Sequence, residues 1–134
     1  MPRMWMVPTE VLCSQHLVGE HYETHMIYGG LTKNRGKGAG LVRSLANAGK
    51  AELAQLQERH DALADELIFR GGNHNSPLIF EWEMFQEALE LPDVKVDVEE
   101  SLRELESRCP KCRANIAKWR EADGQYRPNN YVYK

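Results

Sequence analysis

No stretch of this chain alternates between apolar and polar residues for long enough to build a convincing strand, and that commits the fold to all-α. Three long segments carry apolar residues at helical spacing instead. Thr9, after Pro8, is a good N-cap, and Leu12, Leu17, Val18 and Ile27 follow at helical intervals, predicting a helix from about Glu10 to Tyr28 that stops at Gly29-Gly30. Leu53, Leu56, His60, Leu63 and Leu67 predict a second helix over Ala51 to Phe69, ended by Gly71-Gly72. Asp97 caps a third over Val98 to Trp119, which Pro110 should kink or split. A short acidic helix over Phe80 to Leu89, closed by Pro92, completes the set. Between the first two helices, residues 33–40 are rich in glycine and base and read as a loop. The end, Asp123 to Lys134, reads as an irregular aromatic tail. We expect residues 1–134 to form one domain, compact and monomeric.

Charge is segregated along the chain. The net charge is −3, yet residues 33–50 hold Lys33, Arg35, Lys37, Arg43 and Lys50 with no acid. Residues 108–134 hold seven bases against Glu121 and Asp123, while residues 81–107 hold ten acids against Lys95 and Arg103. Such a chain presents one basic and one acidic face, so the overall sign does not exclude a nucleic-acid partner. No apolar run approaches the ~20 residues that span a bilayer, so no membrane partner is expected. Three cysteines, an odd number, argue against a closed disulfide framework and for a reducing, cytoplasmic setting.

Several residues invite chemistry. His16, Glu20 and Glu23 sit at i, i+4 and i+7 and share one helical face. Methionine followed by proline favours removal of Met1, which leaves Pro2 with a free secondary amine. An α-amine titrates near ~7.7–8.0, so a useful fraction is neutral and nucleophilic at physiological pH. Such amines suit imine chemistry at sugar or carbonyl carbons, with a neighbouring carboxylate stabilising positive charge or taking a proton. His21 and His25 at i, i+4, with the pair Cys109 and Cys112, would make up a Cys2His2 zinc site, but the pairs lie far apart in sequence. The alternative, favoured here, makes the cysteines half-buried small apolar residues and leaves the histidines beside the core or on phosphate. Cys13 reads as core. Trp82 and Trp119 read as core aromatics, whereas Tyr131 and Tyr133 on the polar tail suit base stacking.

The opening, with Arg3, Gln15-His16-Leu17, Glu20 and Glu23, resembles the pyrimidine-dimer DNA glycosylases of the phage-type endonuclease V family, without a gap over residues 1–33. Two further blocks look like bacterial and phage members: Arg59 to Leu63 through Arg70 to Pro77, and Leu105 to Arg113. The resemblance implies a fold of three main helices with the N-terminus threaded between them. It implies a glycosylase and AP lyase acting on double-stranded DNA that carries damaged or abasic sites, with the base expelled from the stack. In that reading Pro2 supplies the attacking amine, Glu23 is the catalytic carboxylate and His16 assists. Arg3 and Gln15 hold DNA, as do the basic loop residues Lys33, Arg35 and Lys37 on grounds of charge. No metal or cofactor is implied. The sequence departs from the pattern at Pro2, where the best-studied relatives carry threonine, and at Tyr22 and Met26, where some carry arginines that grip phosphate. Two other readings remain open: a non-catalytic helical DNA-binding protein, and a zinc-stabilised interaction module built on Cys109, Cys112 and histidines.

Overall fold

A computed structural model describes residues 2–123, and its regular elements are all helices, with no strand among the described residues. Six helices follow in order: α1 (Ser14–Thr32), α2 (Ala39–Asn47), α3 (Leu56–Phe69), α4 (Trp82–Leu89), α5 (Val98–Arg108) and α6 (Pro110–Glu121). Single 3-10 turns at Thr9–Val11, Asn34–Gly36 and Leu53–Gln55 lead into or join them. None of the helices is long and apolar enough to cross a membrane.

The all-α expectation holds, and Pro110 splits the third predicted helix cleanly into α5 and α6. Proline fits the first position of α6, where its missing N–H would have had no partner. Asp97 caps α5 as expected, its Oδ1 accepting the Glu100 N–H at 3.1 Å. Several boundaries differ: α3 begins at Leu56 and not at Ala51, α4 at Trp82 and not at Phe80, and α6 runs to Glu121 past Trp119. Thr9 opens a 3-10 turn, and the cap of α1 is Cys13, whose sulfur accepts the His16 N–H at 3.4 Å. Nor do Gly29 and Gly30 stop α1, which runs on to Thr32.

Those glycines serve a close approach. A β-carbon on Gly38 would stand 2.6 Å from the Gly30 Cα, so the chain entering α2 rests on the backbone of α1. Glycine on both sides permits that contact, and the segment expected to be a loop becomes a turn followed by α2. Arg35, in the middle of the turn, takes a left-handed conformation with φ of 59°.

An extended segment, residues 2–8, runs between two hydrophobic clusters. The segment is not a regular strand, since Met6 takes a left-handed conformation with φ of 60°, yet its side chains go to both clusters. Met4 and Met6 pack with Ile27, Leu31, Val42, Leu45, Leu56 and Phe80. Trp5 and Val7 pack with Leu12, Leu17, Leu63, Leu67, Leu102 and Ile116. Threading of the N-terminus between the helices is therefore present. Trp82 and Trp119 are partly buried against the first and second cluster respectively.

Because the atom facing Gly38 is backbone, Gly38→Ala cannot be accommodated by a side-chain shift. We expect urea unfolding to show a loss of about 1–3 kcal/mol, the usual cost of overpacking. Wild-type stability in that variant would contradict the close contact of α1 with the start of α2.

Candidate functional site

The inserted segment is held by one buried ion pair. Arg59 of α3 meets Glu20 of α1 through two hydrogen bonds, Nε to Oε2 at 2.6 Å and NH2 to Oε1 at 2.8 Å. Both side chains are almost fully buried. The remaining capacity of the pair goes to the extended chain: Glu20 Oε2 accepts the Trp5 N–H at 3.1 Å, and Arg59 NH1 donates to the Val7 carbonyl at 2.7 Å. The Met4 N–H donates to the Lys50 carbonyl at 2.8 Å. Glu20, part of a polar stripe in the sequence, is thus a buried anchor, and its partner Arg59 is a functional residue that helical spacing alone does not mark. The available signal was a charged residue between Leu56 and Leu63 on an apolar helix face.

Glu23 lies one turn beyond Glu20 and is half-buried. Burial, and then the charge of Glu20, push its carboxyl above the usual carboxylate range, while the Arg3 backbone N–H and guanidinium pull the other way. The action of that N–H on the carboxyl puts Glu23 close to the peptide that joins Pro2 to Arg3. The structure therefore brings Pro2, Arg3 and Glu23 together. Arg3 also donates to Glu104 of α5 at 2.7 Å, and its guanidinium lies 3.7 Å from the centre of the Trp5 ring.

The other candidate residues lie apart from this contact. Gln15, Lys33, Arg35 and Lys37 are exposed, in the first turn of α1 and around the turn after it. Tyr131 and Tyr133 lie outside the described residues. Tyr22 and Met26, flanking Glu23 on α1, are 64% and 45% exposed. With His25, Gly29 and Lys33 they line an open groove of about 400 Å³.

His16 goes to a group of sulfurs. Its Nδ1 lies 3.2 Å from Cys13 Sγ and 3.6 Å from Cys112 Sγ, and Cys13 Sγ lies 3.9 Å from Cys109 Sγ. The Cys13 thiol is pushed down to about 4, foremost by the hydrogen bond from Cys112, with the His16 N–H and ring assisting against burial. Cys112 is correspondingly pushed up, by its hydrogen bond with Cys13 and by burial. His21 and His25 do not join the cysteines. They meet His60 of α3 and His74, whose Nε2 atoms are 3.2 Å apart. Burial, followed by the neighbouring rings, pushes His21 down to about 4 and His25 down as well.

Two predictions follow from the anchor and its neighbour. Replacing one partner of a buried pair strands the other, so Arg59→Met should cost about 3–5 kcal/mol in urea unfolding. A loss under about 1 kcal/mol, the range of surface pairs, would demote the anchor to a surface contact. For Glu23 the sign runs as for any raised acid. In the window above its ordinary value the folded protein holds a proton that the unfolded chain releases, so stability falls as pH climbs through that window. Glu23→Gln lacks that loss, and its stability relative to wild type should rise from pH 4 to pH 7. A relative stability that is flat or falls over this range would show that the carboxyl is not raised.

The comparisons bear on the same residues. A family model described as pyrimidine dimer DNA glycosylase matches residues 3–80, more than half of the chain. The matched stretch includes Arg3, Glu20, Glu23 and Arg59 and ends before α5 and α6. No curated protein and no solved structure matches the chain.

Proposed function

From a chain that belongs to the pyrimidine dimer DNA glycosylase family, we propose a DNA glycosylase with AP-lyase activity that excises a damaged pyrimidine, a cyclobutane dimer or another modified base, from double-stranded DNA. The observation that carries this reading is the half-buried Glu23 carboxyl, close enough to the Arg3 backbone N–H, one residue from Pro2, to feel its charge. With Met1 removed, the Pro2 amine attacks C1′ of the damaged nucleotide. The new N–C1′ bond forms as the glycosidic bond breaks, and the base leaves with the bonding electrons and gains a proton. Loss of the amine proton and opening of the sugar ring give an iminium at C1′. Glu23, whose raised affinity for protons makes it a better base, then takes a proton from C2′, and the 3′ phosphate leaves in a β-elimination.

Lys33, Arg35 and Lys37 supply exposed positive charge for phosphates on the surface around the end of α1, with Arg3, Gln15, Tyr131 and Tyr133 as further DNA contacts. Tyr22 and Met26 put an aromatic ring and a thioether where some relatives carry phosphate-gripping arginines. That surface favours stacking on a base over holding a backbone oxygen. We assign no proton transfer to His16, whose Nδ1 is taken up by sulfur.

Borohydride trapping on abasic duplex DNA tests the assignment. Intact mass should show Met1 absent, and the processed protein should become covalently attached to DNA. An N-terminally extended or acetylated form should not trap, because its nitrogen is an amide. Glu23→Gln should bind DNA yet lose at least ~10²-fold in base excision and elimination, the scale of one acid–base group. Robust trapping by the blocked form would move the nucleophile to a lysine, and wild-type turnover by Glu23→Gln would remove the carboxylate from the mechanism.

A further inference from the structure

Two clusters of metal-ligating side chains lie outside the proposed reaction, and each has four members. In either one, all four ligand atoms lie within 4.8 Å of one another. We propose that this protein holds two structural zinc ions, one at Cys13, His16, Cys109 and Cys112 and one at His21, His25, His60 and His74.

The first cluster has the dimensions of an ion-filled tetrahedron. Zn–S and Zn–N bonds of about 2.3 and 2.0–2.1 Å at tetrahedral angles separate two sulfurs by about 3.8 Å and a sulfur from a nitrogen by about 3.5 Å. The separations here are 3.9 Å for Cys13 Sγ to Cys109 Sγ, 3.2 Å for Cys13 Sγ to His16 Nδ1 and 3.6 Å for Cys112 Sγ to His16 Nδ1. Two helix starts build it in the same way. In Cys13-x-x-His16 and Cys109-x-x-Cys112 the first cysteine caps the helix, and its sulfur accepts the N–H of the second ligand, at 3.4 and 3.5 Å. The Cys13 N–H in turn donates to Cys112 Sγ at 3.3 Å. N–H donors aimed at sulfur stabilise thiolate, and three thiolates need a cation among them. A soft, tetrahedral set of three sulfurs and one imidazole selects zinc among the common divalent ions.

The histidine cluster stands on a separate observation. His21 Nε2 and His25 Nε2 are buried without a hydrogen-bond partner. A nitrogen withdrawn from water with no partner is costly unless something else meets it. His60 Nε2 lies 3.2 Å from His74 Nε2, close to the about 3.3 Å edge of a tetrahedron with Zn–N bonds of ordinary length. His60 Nδ1 is 2.9 Å from Asp61 Oδ1, an outer carboxylate of the kind that orients a ligating imidazole, and this turns Nε2 toward the other rings, where the Ser76 carbonyl also stands 3.1 Å from it. A shared proton serves at most one pair of four converging nitrogens, whereas an ion serves all four.

The pairing differs from the mixed Cys2His2 site considered from the sequence, because α1 turns His21 and His25 away from the face that carries His16. The first ion ties the start of α1 to the junction of α5 and α6. The second ties the middle of α1 to α3 and the segment around His74.

The test is metal content and spectroscopy on the full chain, purified without a histidine tag and dialysed after exposure to zinc. Elemental analysis should give two zinc per chain, falling to one in Cys112→Ser and to one in His74→Ala. Cobalt(II) substituted into wild type should give intense thiolate-to-cobalt charge transfer together with tetrahedral ligand-field bands. His60→Ala should keep the charge transfer and Cys112→Ser should lose it. Should a variant fail to fold, the wild-type protein still decides. A folded wild-type chain without tightly bound zinc overturns the proposal for both sites. One zinc with cobalt–thiolate absorption overturns the histidine site, and one zinc without it overturns the cysteine site.

Discussion

Arg59 and Glu20 form the interaction on which the arrangement of the rest depends. A buried ion pair is a poor source of stability, because removing two charges from water costs about as much as their attraction returns. What this pair supplies is register. Glu20 accepts from the Trp5 N–H and Arg59 donates to the Val7 carbonyl, so the pair grips alternate residues of the extended segment. A slip by one residue would exchange Met4 and Met6 with Trp5 and Val7 between two clusters of different shape, and would move the Pro2–Arg3 peptide along α1. The position of Glu23 against that peptide is thus set by a pair that touches no reacting atom.

The helices were legible because their apolar residues recur at helical spacing, and Asp97 and Pro110 behaved as local rules require. Local rules failed where a distant contact decided. Gly29-Gly30 reads as a stop and Gly36 to Gly40 as a loop, but the glycines allow α1 and the start of α2 to touch backbone to backbone, so α1 runs four residues past its expected end and α2 forms where no helix was expected. The extended segment carried no alternation to find, because both of its faces are buried and Met4 to Val7 are all apolar. At the site, spacing correctly set Glu20 and Glu23 on one face of α1. It could not reveal that Glu20 is spent on Arg59, thirty-nine residues on. The same holds for the cysteines and histidines, whose partners come from α3, α6 and the segment around His74, and no periodicity connects those stretches.

The acidic stretch, expected from the sequence to form one face, also has an internal use. Glu104 pairs with Arg3 and Arg108, while Glu99 and Glu106 both reach Arg120. Several bases of the chain's two ends are thereby occupied by α5. The exposed bases around the turn after α1 have no such acid in their own segment, so the positive field concentrates near the end of the helix that carries Glu23.

A carboxylate pushed upward by burial and by a neighbouring carboxylate is a locally unfavourable arrangement, and it persists only if the surroundings hold it. α1 has no apolar surplus with which to do so over this stretch: between Leu17 and Ile27 its buried positions are Glu20 and Thr24. Its fixation comes from polar attachments on several sides. Cys13 and His16 bind it to α6, Glu20 to α3 through Arg59, and His21 and His25 to α3 and the segment around His74. These attachments bracket Glu23 from both directions along the helix. The zinc ions proposed at the two clusters would make these attachments directional bonds of fixed length, which a methylene contact cannot provide, and would hold the carboxylate near the peptide of Pro2 before any substrate arrives.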